Sequence, residues 1–241
     1  MKYKKCLVVL ILLSCVGALS AQSNSEGPAA PVKRTLEPPV ELLNLGTLRS
    51  ELTQYHDCTG GFGCYRDDLR AQTDRAQAAL AERVRARKPG EKLAIVFDID
   101  ETVLSNWPEI AKLNMGFYQP LEDEWERSEK AEGIPGSVAL YKQAVAAGVP
   151  VFFITGRPEA MRDVTAANLR DQGMTEWKSL VLRSKEEQDE TAVVYKSSER
   201  RKIVAQGYTL IMSIGDQWSD LQGEPHAEIS VKLPNPFYFI P

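Results

Sequence analysis

The stretch Val96-Phe97-Asp98-Ile99-Asp100-Glu101-Thr102-Val103-Leu104-Ser105-Asn106, VFDIDETVLSN, decides how this chain is read. It closes an apolar run beginning at Leu93, with the continuous apolar character of a strand buried on both faces. Two carboxylates then follow, two residues apart, where unpaired charge is expensive to bury. Two such charges about 4 Å apart repel by about 4 kcal/mol at an effective dielectric of about 20, so a compensating cation is expected.

Outward from this run, short apolar stretches alternate with amphipathic ones, the signature of a parallel α/β sheet. Strands are expected at Leu93 to Ile99, Val149 to Thr155, Ser179 to Leu182 and Tyr208 to Ile214, with helices at Ser137 to Ala147, Glu159 to Gln172 and Ser197 to Gln206. Upstream, Leu69, Thr73, Ala76, Leu80 and Val84 recur at steps of three and four, predicting a packing helix over Arg66 to Lys88. Asp67 and Asp68 at its start and Arg83, Arg85, Arg87 and Lys88 at its end suit the helix dipole, and Pro89-Gly90 stops it. The segment from Leu104 to Pro135 is too long for an ordinary connection and reads as a small helical insertion, most of whose aromatics fill its own minicore.

The N-terminus has a different logic. Lys2, Lys4 and Lys5 precede an apolar run from Cys6 to Leu19 and the small residues Ala18, Ser20 and Ala21, the pattern of a secretory signal peptide at 1–21. That run is too short for a transmembrane span. Ordinary cleavage near Ala21 competes with a lipid anchor at Cys15, because Leu12-Leu13-Ser14-Cys15 resembles a bacterial lipoprotein cleavage box. Residues 22–39, rich in Ser, Pro, Ala and Glu, read as a flexible spacer, with structure starting near Val40 and an N-terminal helical segment over 40–90 packing on a core at 91–241. Export permits a disulfide between Cys58 and Cys64 across the glycine-rich loop TGGFG. Without the three lysines of the signal segment, 26 basic residues face 33 acidic ones, formally −7, which argues against a nucleic acid polymer as partner.

Four polar signals fall at the carboxyl ends of the expected strands, where open α/β sheets bind ligands. They are Asp98 with Asp100, Thr155-Gly156-Arg157, Lys196 just before a helix, and Gly215-Asp216-Gln217-Trp218-Ser219-Asp220. Singly each has a bland reading: a surface carboxylate pair, a helix cap, a solvated lysine. Together they suit phosphoryl transfer from a small phosphomonoester. Asp98 is the candidate nucleophile. Asp100, about 6.6 Å further along an extended chain and on the same side, is the candidate acid and base. Thr155, Gly156, Arg157 and Lys196 are candidates to hold the phosphoryl group. Asp98, Asp216 and Asp220 form an oxygen-only donor set that favours Mg²⁺ over zinc, and His56 and His226 are the only histidines.

DIDET, ITGRP, the lysine of YKS and GDQWSD resemble the four motifs of the haloacid dehalogenase (HAD) superfamily in its acid phosphatase form, subfamily IIIB. The longer pieces VFDIDETVLSN, FFITGRPE, GDQWSDL and KLPNPFYFI resemble the plant acid phosphatase and vegetative storage protein group and its exported bacterial relatives of class B and C type. The resemblance, covering roughly Leu93 to Pro241, implies a Rossmann-like parallel sheet flanked by helices, with a small helical cap inserted at about 104–135. It also implies a phosphoaspartate on Asp98, Asp100 as acid/base and as a metal ligand through its carbonyl, Thr155 and Lys196 on the phosphoryl group, and Asp216 on Mg²⁺ with Asp220 in or beside that shell. Storage relatives that have lost the nucleophile imply an alternative, an exported storage or ligand-binding protein with little turnover, but Asp98 is kept here. A second alternative, a cysteine-dependent phosphatase built on Cys64 to Arg70, would place Asp67 and Asp68 inside the phosphate loop, where they repel the dianion.

Overall fold

The computed structural model describes residues 43–61 and 63–240. The expected signal peptide, the spacer, Val40 and Cys15 lie outside the described residues.

Two helices come first: α1 (Leu45–His56), capped by the Asn44 side chain on Gly46 N–H, and α2 (Tyr65–Arg85). Cys58 and Cys64 are disulfide-bonded in the loop between them. The buried face of α2 is Tyr65, Leu69, Thr73, Ala76 and Leu80, the periodic stripe read from the sequence shifted one turn toward its N-terminus. The central strand β1 (Leu93–Phe97) follows. After it come a short strand β2 (Leu104–Ser105), helices α3 (Trp107–Lys112) and α4 (Gln119–Arg127), and β3 (Glu132–Gly133), which pairs antiparallel with β2 and closes the base of the insertion. The alternation then resumes as α5 (Pro135–Ala146), β4 (Val151–Pro158), α6 (Arg162–Asp171), β5 (Ser179–Arg183), α7 (Ala192–Ala205), β6 (Thr209–Gly215) and β7 (Ile229–Lys232).

The sheet is wholly parallel, in the order β5-β4-β1-β6-β7. Because side chains alternate along a strand, Leu93, Ile95 and Phe97 of β1 enter one core with Leu80, Leu140 and Leu169 of the helices, while Ala94 and Val96 enter a second core with Tyr195 and Ile203 of α7. Burial on both faces explains why these strands read as continuous apolar runs. The chain leaves β1 toward β4 and β5, then crosses back to β6 and β7, so the topological switch point lies at the carboxyl end of β1.

Three expectations are corrected. β1 ends at Phe97, not Ile99, because the carbonyl of Ile99 accepts from the amides of Thr102, Val103 and Leu104 and turns the chain, with Glu101 at φ 50°. Asp98 therefore directly follows β1, its amide still on the ladder, while Asp100 sits on the turn, and both line one cleft. α7 begins at Ala192, N-capped by Thr191, so Lys196 lies inside the helix and not before it; burial of Tyr195 and Lys196 overrides the strand preference of Val193-Val194. Strand β7 was not expected, since four residues at a sheet edge carry too short a pattern to register. Among the described residues no helix is long and apolar enough to cross a membrane.

Candidate active site

Asp98 leaves β1 buried, its amide still bonded to the Ile214 carbonyl of β6. Its Oδ1 accepts from Lys196 Nζ at 2.6 Å, and the same ammonium also bonds Asp220. The Thr102 hydroxyl accepts from the Asp216 amide and lies 3.1 Å from Asp98 Oδ2 and 3.3 Å from Asp216 Oδ1. Asp216 follows β6; its Oδ2 accepts from Gln217 Nε2 and from Asn235 Nδ2, both at 2.7 Å. Asp220 sits on the 3₁₀ turn Trp218–Asp220, its Oδ2 accepting from the Gln217 amide at 2.9 Å. This close return needs Gly215, where a Cβ would lie 2.1 Å from Asp220 Oδ2.

Asp98, Asp216 and Asp220 thus each bring one oxygen within 4.8 Å of the others. Burial and the neighbouring Asp220 push the Asp98 carboxyl up to about 7 despite Lys196, and burial with Asp98 and Asp220 pushes Asp216 well above the carboxylate range. Three buried acids answered by one lysine lack positive charge. An all-oxygen set of this kind fits a hard divalent cation such as Mg²⁺.

Asp100 is held differently. Arg157 Nη2 donates to its Oδ1 at 2.6 Å, and Asn106 Nδ2 donates to the same oxygen at 2.9 Å. Burial raises the Asp100 carboxyl, but the Arg157 charge and these bonds outweigh it and hold the group below its ordinary range. Thr155, wholly buried, accepts from the Arg157 amide at 3.1 Å and stands 3.4 Å from Asp100 Oδ2. Gly156 lies exposed at the cleft wall. Arg157 is committed within the protein: besides Asp100 it meets Thr165 Oγ1 at 3.3 Å and Glu126 Oε1 at 3.5 Å.

Asp98, Asp100, Asn106, Arg157, Lys196 and Asp216 line one cleft of about 810 Å³, with Asp220 behind Lys196. Its outer wall is apolar, with Leu113, Met115 and Phe117 from the insertion and Phe239 and Ile240 from the C-terminal tail. Trp107 is not part of that wall; it stacks on His56 with ring centroids 3.6 Å apart and packs against Phe237. Trp125 bonds Asn106. Of Trp107, Phe117, Tyr118 and Trp125, the aromatics of the insertion, Phe117 alone lines the cleft. Cys64 is bonded to Cys58, which removes it as a nucleophile.

A family model described as HAD superfamily, subfamily IIIB (Acid phosphatase), matches residues 32–241. The chain belongs to this acid phosphatase family. It is 39% identical over 148 residues to Acid phosphatase 1 of Solanum lycopersicum, covering 60% of this chain and 58% of that protein. To the Stem 28 kDa glycoprotein of Glycine max it is 41% identical over 156 residues, 62% of this chain and 61% of that one. The chain spans about three fifths of the length of these curated relatives, and vegetative storage proteins of Arabidopsis thaliana are also among its matches. The Class C acid phosphatase from Bacillus anthracis shares the fold, with TM-score 0.67 over 81% of this chain and 86% of that one at 24% identity.

Within this family member, sequence reasoning passed over Thr102, Asn106, Glu126, Asn235 and Tyr238. Thr102 and Asn106 stood inside the opening motif itself. Asn235 and Tyr238 stood in the tail KLPNPFYFI, whose polar residues amid aromatics mark a tail folded back onto the sheet rim: Asn235 reaches Asp216, and Tyr238 O–H donates to Glu101 at 2.7 Å. For Glu126 the signal was a carboxylate on the inner face of a short helix.

Proposed function

We propose that this chain is an exported, Mg²⁺-dependent acid phosphatase that hydrolyses small phosphomonoesters through a phosphoaspartate on Asp98. The observation that carries the reading is the opposed pair of environments in one cleft: Asp98 against Lys196, Asp216 and Asp220, and Asp100 against Arg157 and Asn106.

Asp98, Asp216 and Asp220, with the Asp100 main-chain carbonyl, would hold Mg²⁺, which when bound supplies positive charge against the negative charge of these groups and of the phosphate. An Asp98 oxygen attacks phosphorus as the ester P–O bond breaks, and the departing alkoxide takes a proton from Asp100. In the free protein Arg157 keeps Asp100 ionised; an arriving phosphate dianion raises its proton affinity, so the proton enters with the substrate. The Thr155 hydroxyl, the amides at Gly156 and Arg157 and the Lys196 ammonium hold the phosphoryl oxygens. Asp100, now a base, takes a proton from water that attacks phosphorus, and Asp98 and inorganic phosphate are released.

The storage alternative draws on the storage proteins among the relatives, but the charged set that binding alone would not need is complete here. p-Nitrophenyl phosphate hydrolysis, measured with Mg²⁺ and with chelator across acidic and neutral pH, separates the two: no metal-dependent turnover would leave the storage reading. Export draws on the N-terminal pattern and on the Cys58–Cys64 bond. Fractionation of the native host with mass analysis of the mature N-terminus tests it, and distinguishes cleavage near Ala21 from a lipid anchor at Cys15.

A further inference from the structure

We infer that Trp125, on the insertion helix α4, is a positioning residue for Asp100, acting through the side-chain amide of Asn106. The inference rests on Asp100 serving as the acid and base.

Trp125 Nε1–H donates to Asn106 Oδ1 at 2.8 Å. The Asn106 amide in turn donates to Asp100 Oδ1 at 2.9 Å and to Glu101 Oε2 at 3.2 Å. Asn106 is only 3% exposed, so water does not substitute for these partners. The indole N–H can only donate, and the Asp100 carboxylate paired with Arg157 accepts. Rotating the amide by half a turn would set its oxygen against the Asp100 carboxylate and its NH₂ against the indole N–H, so both contacts would be wrong at once. The indole therefore selects the one orientation in which Asn106 faces Asp100 as a donor.

That selection decides which Asp100 oxygen works. Oδ1 is met by Arg157 Nη2 at 2.6 Å, Asn106 at 2.9 Å and Arg157 Nε at 3.1 Å. Oδ2 has only longer contacts, Arg157 Nε at 3.2 Å and Thr155 Oγ1 at 3.4 Å. Oδ2 is the less engaged oxygen, and the bonds to Oδ1 fix the plane of the carboxylate that presents it. Since Trp125 lies 19 residues beyond Asn106 on a separate helix, this placement depends on the insertion being seated.

The test is kcat/KM, which reports the phosphoryl transfer to Asp98, for full-length protein with Mg²⁺ across a leaving-group series: ethyl, p-nitrophenyl and 2,4-dinitrophenyl phosphate. An alkoxide needs a well-aimed proton; a dinitrophenolate departs without one. Trp125→Phe keeps the aromatic packing and removes the N–H. It is expected to lose about tenfold on ethyl phosphate and less than about twofold on the dinitrophenyl ester. Asp100→Asn, measured alongside, should show the same slope more steeply. A uniform loss or none in Trp125→Phe, beside a steep Asp100→Asn, overturns the positioning role alone. A flat Asp100→Asn overturns the acid/base reading and the inference with it. Asn106→Leu, at the other end of the link, reads the same slope if the indole variant does not accumulate.

Discussion

Arg157, 3% exposed, gives Nη2 to Asp100 Oδ1 at 2.6 Å and its Nε to both oxygens at 3.1 and 3.2 Å. A buried guanidinium placed in this way serves a carboxylate before it serves any ligand, and it keeps Asp100 and Asp98 in contrasting electrostatic states a few residues apart.

Asp98→Asn should reduce turnover by about 10³-fold or more, because the amide cannot form the acyl phosphate. Lys196 retains Asp220, so the fold should persist. Thermal unfolding of the metal-free variant at pH 8 should occur no lower than that of wild type, since a carboxyl whose ionisation is resisted up to about 7 has been replaced by a neutral isostere. Residual turnover within tenfold of wild type would refute the nucleophile assignment.

Glu126 is pushed up to about 8 by burial, with Arg157 opposing and Asp100 adding. Its folded pKa lies above its unfolded one, so the folded state binds the extra proton, and the stability this brings is complete below about 4.5 and lost as pH rises through about 8. Glu126→Gln should therefore gain on wild type as pH rises from 5 to 8, by about 3 kcal/mol. Denaturant melts at the two pH values in chelator check the sign; a gap that narrows toward pH 8 contradicts it.

Added Mg²⁺ should stabilise the protein by about 2.7 kcal/mol at a hundredfold excess over its Kd. At the same Mg²⁺ concentration the gain should be smaller at pH 5 than at pH 8, because Asp98 and Asp216 are protonated more readily than free carboxylates and protons compete with the ion. Thermal shifts across a Mg²⁺ titration at both pH values measure this, and equal shifts would argue against these carboxylates as ligands.

Gly215→Ala would set a methyl 2.1 Å from Asp220 Oδ2 and force the 3₁₀ turn outward. About 1–3 kcal/mol of stability should be lost. Mg²⁺ affinity should fall at least tenfold as Asp220 leaves the cluster. Isothermal titration reads this directly; unchanged affinity would remove Asp220 from the ligand set.

Much of this arrangement was legible in the sequence because burial imposes contrast there: an apolar run that stops at Asp98 or Asp216 marks a strand end facing a polar site, whereas β4 runs past Thr155 to Pro158. The three acids and Lys196 do meet, although they are spread over more than 120 residues. Less legible was whatever depends on a partner far along the chain. Nothing local tells that Asn106 will be oriented by Trp125, that Tyr238 will bond Glu101, or that Arg157 will serve Asp100. Lys196 was misplaced relative to its helix because Val193 and Val194 favour strands locally, whereas the fold buries their neighbours against β4 and β6.

The two-residue pairing of β2 with β3 has a wider implication. It cinches the insertion shut without joining the five-stranded sheet, so residues between the clasp ends can be exchanged, lengthened or trimmed while strand register stays untouched. The span from Trp107 to Lys130 is thereby the natural place to graft loops or build libraries, provided Trp125 and Glu126, which reach Asn106 and Arg157, are kept.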